Sequence, residues 1–563
     1  MKKLHKHNLS YCISGILSFI MMLSLLLSSV RSNAQVNINV NTSTVLANDV
    51  RNKYGINVNA GIDNDVNRPY GARPLHEAIA ETGAKHIRFP GGKKTMFYAW
   101  ASHPYNDPST HYWSTAGNPW YANVALNTLN FDEFMAICSQ TGAEAHINVA
   151  WNPEGGLTEE LAAAWVEYAN VTNNYNVKYW EIGNEMWQSE YGFSVSSLAA
   201  VVNSYSQAMK AVDPTIKIGV SWRNAQDIIN ACGDALDFVT ISDYTTYQGS
   251  YDAYARKDKV KLISVDENAS KKIVVSEFAP TTWQRDSADL INSTGKGIIN
   301  FDQVGQFLLS PNTEYACFWN TRWYSCEGNM FDAFDNNNNL LPVSKSLSLW
   351  KKFLMNDLVS ATSSNRDVVS YASYDNISGD LNVFLINKRN YPKTAVLNIS
   401  SENTYSSVAE VWQYKGEHDE DKHPTLENIG TFEVSNNSIS SISLPSTSIT
   451  AIVLSKNYIN VEGISLSASS LNLIPQETFN LTANVNPIDA TNSSITWSTS
   501  NSDIASVNSN GVVTGITEGS VEITATTNDG NYTANCIVNI SSIVNLVSNP
   551  GFETGALDPW VCS

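Results

Sequence analysis

Two glutamates stand at the ends of apolar runs, where a carboxylate is poorly placed for a core and well placed for a pocket. The first is Glu185, in Lys178-Tyr179-Trp180-Glu181-Ile182-Gly183-Asn184-Glu185-Met186-Trp187. The second is Glu277, in Ile273-Val274-Val275-Ser276-Glu277-Phe278-Ala279-Pro280. They lie 92 positions apart. A (β/α)8 barrel spends about 31 residues on each strand–helix unit. That spacing therefore predicts strands n and n+3 of one barrel, with both carboxylates on the same rim. Two carboxylates so placed suit glycoside hydrolysis, one as acid/base and one as nucleophile. The alternative for either glutamate alone is a solvated surface charge.

The elements that must position them follow from the apolar pattern. Strand-like runs at Gly55–Asn59, His86–Phe89, Ala145–Val149, Val177–Ile182, Ile216–Val220, Phe238–Ser242, Ile273–Ser276 and Tyr315–Trp319 alternate with helical periodicity, for instance Leu161, Trp165, Tyr168 and Ala169. Counted this way, Glu185 follows strand four and Glu277 follows strand seven. Asp213-Pro214 ends the helix after strand four, and Ser346 to Leu354 makes a closing helix. The long segment from Gly91 to about Asn130 holds Phe97, Tyr98, Trp100, Tyr105, Tyr112, Trp113, Trp120 and Tyr121. It is expected either to wall a substrate cleft or to use these rings as its own core.

The sequence resembles the superfamily of retaining glycosidases with an Asn-Glu acid/base on strand four and a nucleophilic glutamate on strand seven. Within it, the arabinofuranosidase-like branch is the most similar, with a further likeness to agarases and some endoglucanases. The resemblance is carried by Arg88-Phe89-Pro90-Gly91-Gly92, Trp165-Val166-Glu167-Tyr168, Trp180 to Glu185, and Ser276-Glu277-Phe278. It implies that Glu277 is the nucleophile and Glu185 the acid/base, its pKa raised by the ionised nucleophile beside it. It also implies that Asn184 binds the hydroxyl next to the reacting carbon, and that Arg88 holds the nucleophile charged and oriented. Trp151, Tyr244, Tyr247 and Trp319 are candidate sugar contacts, with Asn320 and Arg322 behind them. Three positions depart from the arabinofuranosidase pattern: Asn59 for a glutamate, Lys93 for an asparagine, and Ser242-Asp243-Tyr244 for a histidine. All three bear on which sugar is bound rather than on bond cleavage, so an agarase-like or other polysaccharide glycosidase is an alternative. A non-catalytic carbohydrate-binding or adhesion protein on a glycosidase-like barrel is another.

The fold class expected is multidomain: a (β/α)8 TIM barrel over 54–356, an all-β sandwich over 357–457 and an Ig-like β domain over 458–541. Residues 35–53 are polar and alternating, and suit an edge strand of the sandwich. Ile495 to Ser500 and Gly511 to Gly515 resemble the bacterial Ig-like group 2 module, and Asn545 to Glu553 the opening of a carbohydrate-binding module that would occupy 542–563 and continue beyond. Residues 1–34 read as a signal peptide: Lys2, Lys3 and Lys6, an apolar run from Ile13 to Leu27, then Ser32-Asn33-Ala34. Secretion to the extracellular space or periplasm is the expectation.

With 563 residues, the chain holds three or four domains, and 43% hydrophobic with 16% charged residues is a folded composition. Fifteen Trp and 25 Tyr offer flat faces for sugar rings. A net charge of −19 argues against nucleic acid or anionic membrane as partner and for a neutral polysaccharide. Of seven cysteines, Cys317 and Cys326 are close enough in sequence to pair, with buried free thiols the alternative; none has metal-site spacing. Asp335 to Asn339 lacks the ligand spacing of a calcium loop and reads as a turn. No cofactor fingerprint or metal site is expected.

Overall fold

The computed structural model describes residues 35–114, 127–244, 266–280, 291–323, 329 and 331–542. The chain divides into two units, Met1–Lys456 and Asn457–Ser563.

The first unit contains a closed eight-stranded parallel barrel. Its strands are β1 (Tyr54–Asn57), β2 (His86–Phe89), β3 (Glu144–Val149), β4 (Tyr179–Ile182), β5 (Lys217–Ser221), β6 (Phe238–Tyr244), β7 (Lys272–Ala279) and β8 (Thr313–Phe318). β8 pairs with β1 and closes the ring. Each strand is buried on both faces, which is why each reads as an almost unbroken apolar run. Helices follow the strands, as in Phe131–Thr141, capped reciprocally by Asn130 and Glu133, and Val195–Val212, which stops at Asp213. The helix carrying Trp165 loosens into a π turn at Glu167–Thr172, a departure that periodicity does not reveal.

The described part of the segment after β2 packs inward instead of walling a cleft. Tyr98 and Trp100 are fully buried, with Trp100 stacked 5.8 Å from Trp165 and Tyr98 edge-on to Phe89. Tyr105 and Trp113 pack against the same core, while Tyr112 is exposed. This segment extends the barrel core outward; Trp120 and Tyr121 lie outside the described residues.

After the helix Ser348–Phe353 the chain turns to β structure, forming one continuous nine-stranded sheet. The strand Val36–Ala47 lies inside it, antiparallel to Asp357–Ser363 and parallel to Lys393–Ser400. Leu381–Asn387 is buried on both faces. Its Val383 and Leu385 enter the sheet's own core, and Phe384 and Ile386 enter the barrel's. Tyr371 reinforces the join by donating to the Asp302 carboxylate, and Phe301 stacks 4.3 Å from Trp350.

The second unit is a small β fold from Gly463 to Ile540, cored by Leu481, Val513, Ile523 and Val538. Among the described residues no helix is long and apolar enough to cross a membrane.

Candidate active site

The barrel register sets the site. Asn57 of β1 is level with Arg88 of β2, and Arg88 with His146 of β3, so their inward side chains share a layer. Arg88 is completely buried and its guanidinium is the hub. Nε donates to Glu181 at 2.8 Å, Nη1 to Asn57 at 2.9 Å and to Glu277 at 3.0 Å, and Nη2 to Asn184 at 2.8 Å. Three of the sequence candidates, Arg88, Asn184 and Glu277, are thus brought together.

Glu277 reaches the hub through an irregularity. Val274 faces the barrel interior, so strict alternation would turn residue 277 outward. The register against β6 shifts between Val275 and Glu277 and re-aims the carboxylate inward. Its second oxygen accepts from the Tyr244 hydroxyl at 2.6 Å. Glu185 follows directly on Asn184, with its backbone in the left-handed region at φ 48°. That conformation is uncommon outside glycine and marks a geometry held by its surroundings. The Gln188 amide donates to its carboxylate.

Both glutamates hold their protons unusually firmly. Burial lifts Glu277 to about 7, against the Arg88 charge and with help from Glu185. Burial also raises Glu185, opposed by hydrogen bonds from Ser242 and Gln188. The sequence reading attributed the rise at Glu185 to the neighbouring nucleophile; burial is its principal cause instead. The two carboxyls interact, so their proton belongs to the pair. Two carboxyls both raised in this way are suited to giving and taking a proton in turn.

The remaining candidates are dispersed. Trp151 is partly exposed and edge-on to Phe193 at 4.7 Å. Trp319 is only 4% exposed and lies over Gly91 and Gly92. Asn320 is buried, and Arg322 is buried in an ion pair with Asp63 at 2.7 Å. Asn59 is also internal, donating to the Arg322 carbonyl and accepting from Lys94, while Lys93 pairs with Glu190. Tyr247 and Cys326 lie outside the described residues, and Cys317 is a buried free thiol in the barrel interior. The Asp335 carboxylate is spent on the backbone N–H groups of Asn337 and Asn339, as in a turn.

Sequence reasoning missed the layer beneath the hub. Glu181, His146, Thr240 and Tyr315 are all fully buried. The available signal was a charged residue inside Trp180-Glu181-Ile182, at an inward position of a barrel strand.

A model of the alpha-L-arabinofuranosidase 1 domain matches residues 78–261, and one of the bacterial Ig-like domain (group 2) matches residues 460–538. Over residues 78–261 the barrel is similar to arabinofuranosidase domains. The matched part of this arabinofuranosidase-like barrel contains Arg88, Asn184 and Glu185 and stops before Glu277. Among curated relatives, the probable alpha-L-arabinofuranosidase C of Aspergillus fumigatus is 30% identical over 161 residues, 25% of this chain and 30% of its own. Alpha-L-arabinofuranosidase C of Emericella nidulans is 31% identical over 162 residues, again 25% and 30%. The chain therefore spans less than a third of the length of these relatives. Solved structures extend the likeness of fold. The alpha-L-arabinofuranosidase from Thermotoga maritima, solved as an arabinose complex, has a TM-score of 0.58 at 20% identity, covering 75% of this chain and 100% of its own. A bifunctional glucanase-xylanase from a metagenome library reaches 0.55 at 15% identity, covering 75% and 99%.

Proposed function

We propose that this chain is a glycosidase that retains anomeric configuration, working by double displacement on a plant or algal polysaccharide. The observation that carries the reading is the Arg88 guanidinium holding Glu277 and Asn184 together, with Glu185 next in sequence. In the first step a Glu277 oxygen attacks the anomeric carbon while Glu185 gives its proton to the departing glycosidic oxygen. The bond to the leaving group breaks as the bond to Glu277 forms. In the second step Glu185, now a carboxylate, takes a proton from water. That water displaces Glu277, which leaves as the carboxylate that Arg88 and Tyr244 stabilise. Retention requires the two carboxyl groups to stand about 5–5.5 Å apart. Asn184 takes the hydroxyl beside the reacting carbon.

An arabinofuranosidase-like barrel supports an arabinofuranoside as the first substrate to try. The internal fate of Asn59 favours a wider search, because that side chain is engaged with Lys94 and Arg322 and not turned to a ligand. Residues 1–34 support export of the enzyme to where such polymers are found.

The test is cleavage of arabinan, arabinoxylan, xylan, β-glucan and agarose by the purified chain, with product anomeric configuration followed by NMR. Glu185→Gln and Glu277→Gln run alongside. Cleavage with retained configuration, lost in both variants, is the expected result. Cleavage that survives Glu277→Gln refutes the nucleophile, and inverted products refute the double displacement. Binding without cleavage across the panel favours the adhesion reading.

A further inference from the structure

The hub has a second carboxylate that the proposed chemistry does not use. Glu181 sits inside β4 and is closed to solvent, as are its three partners Arg88, His146 and Thr240 and the Tyr315 that bonds His146 in turn. One oxygen, Oε2, accepts from Arg88 Nε at 2.8 Å and lies 3.0 Å from His146 Nε2; the other, Oε1, accepts from the Thr240 hydroxyl. An ionised carboxylate only accepts, so His146 Nε2 must carry the proton. Burial keeps that imidazole neutral, which leaves Nδ1 to accept from the Tyr315 hydroxyl 2.8 Å away. Every contact of Glu181 is therefore a donor, and the group is held ionised at neutral pH. Burial works against that charge, but Arg88 and His146 outweigh it and hold Glu181 at about 2.

One guanidinium consequently serves two carboxylates, Glu181 through Nε and Glu277 through Nη1. We propose that Glu181 is a positioning residue: it fixes where the Arg88 guanidinium stands and limits how much of its charge reaches Glu277. The inference rests on the reading of Glu277 as nucleophile. It adds a cause for the reluctance of Glu277 to ionise, since a fixed anion already occupies the other edge of the only arginine it touches among the described residues. Among the described residues, the other titratable groups facing Glu277 are Glu185 from the loop after β4, Tyr244 from β6 and the Cys317 thiol from β8, which burial keeps protonated.

The test is Glu181→Gln in the full chain. The glutamine oxygen can keep the two donors at Oε2, and its amide can donate to Thr240, whose hydroxyl is free to rotate. The readout is the carboxyl titration of Glu277, by NMR with 13C-labelled glutamate, assigned through Glu277→Gln. With the competing anion gone, the Glu277 midpoint should fall by about one pH unit. The acidic limb of kcat/KM should move down with it. Thr240→Val spares the charge but removes a donor, leaving more of the Glu181 charge on Arg88, and should move Glu277 upward. This variant carries the test if Glu181→Gln does not fold. A Glu277 titration identical in the wild type and in the variants that fold overturns the proposal. A shifted titration in a chain that cleaves no glycoside leaves the charge coupling standing and refutes the nucleophile instead.

Discussion

Replacing Arg88 by methionine separates two ways of accounting for the hub. The side chain is completely buried and makes four hydrogen bonds, two of them to carboxylates. Without it Glu277 can take up a proton, but Glu181 is left as an anion in a site closed to water. Breaking a buried pair on one side costs about 3–5 kcal/mol, mostly from the orphaned charge. Against a typical domain stability of about 5–15 kcal/mol, that is a large share. Adding Glu181→Gln to the same chain removes the orphan. The double variant still lacks the charge-assisted hydrogen bonds to Asn57 and Asn184 but no longer holds a buried unpaired anion, so it should be more stable than Arg88→Met by about 2 kcal/mol or more. Urea unfolding at pH 7, followed by a barrel tryptophan signal, measures all three variants of the cycle. The coupling energy should be at least about 2 kcal/mol. The sign of the pH dependence is also set. In Arg88→Met the folded pKa of Glu181 rises above its ordinary 4.5, so the deficit is full at high pH and shrinks as Glu181 protonates. If the single and double variants lose the same stability, or the single loses under about 1 kcal/mol, the orphaned-charge reasoning is wrong.

Three further outcomes follow from the same geometry. Glu181, depressed to about 2, contributes stability present above 4.5 and lost as pH falls toward 2; Glu277, raised to about 7, contributes stability present below 4.5 and lost as pH rises through 7. Thermal unfolding across pH should therefore show Glu277→Gln removing the decline between 4.5 and 7. Trp100→Ala should cost about 3–5 kcal/mol in urea unfolding while leaving KM nearly unchanged, because that ring fills core and does not line a cleft. Gly92→Ala should cost about 1–3 kcal/mol in the same urea unfolding, since its φ is 61° and a Cβ there would collide with the Trp319 ring.

The eight barrel strands were legible because strands buried on both faces leave contiguous apolar runs, and their spacing placed both glutamates on one barrel. What was not legible depends on registers and partners far away in sequence. Glu277 points inward only through the slip against β6, and alternation from Val274 would have turned it away. Glu181 reads as one acid in an apolar run, and its meaning comes from Arg88, 93 positions earlier, and Thr240, 59 positions later. Aromatic residues after β2 read equally as a sugar-binding wall or as core, because composition cannot distinguish a ring in a cleft from one stacked on Trp165. Arg322 looked available because its partner Asp63 is 259 residues away.

The strand Val36–Ala47 sits within the nine-stranded sheet, and Asn37 bonds Ser364, 327 positions later. During synthesis it must wait, unpaired, until the whole barrel and the first strands beyond it have been made. Contacts of such long range are slow to form, and an unpaired strand is open to wrong partners in the meantime. The nine-stranded sheet is thereby completed only after its later strands exist, by the part of the described chain that was made first. Trimming this strand would do more than shorten the protein: it would divide the sheet and expose two new edges to pairing with other chains.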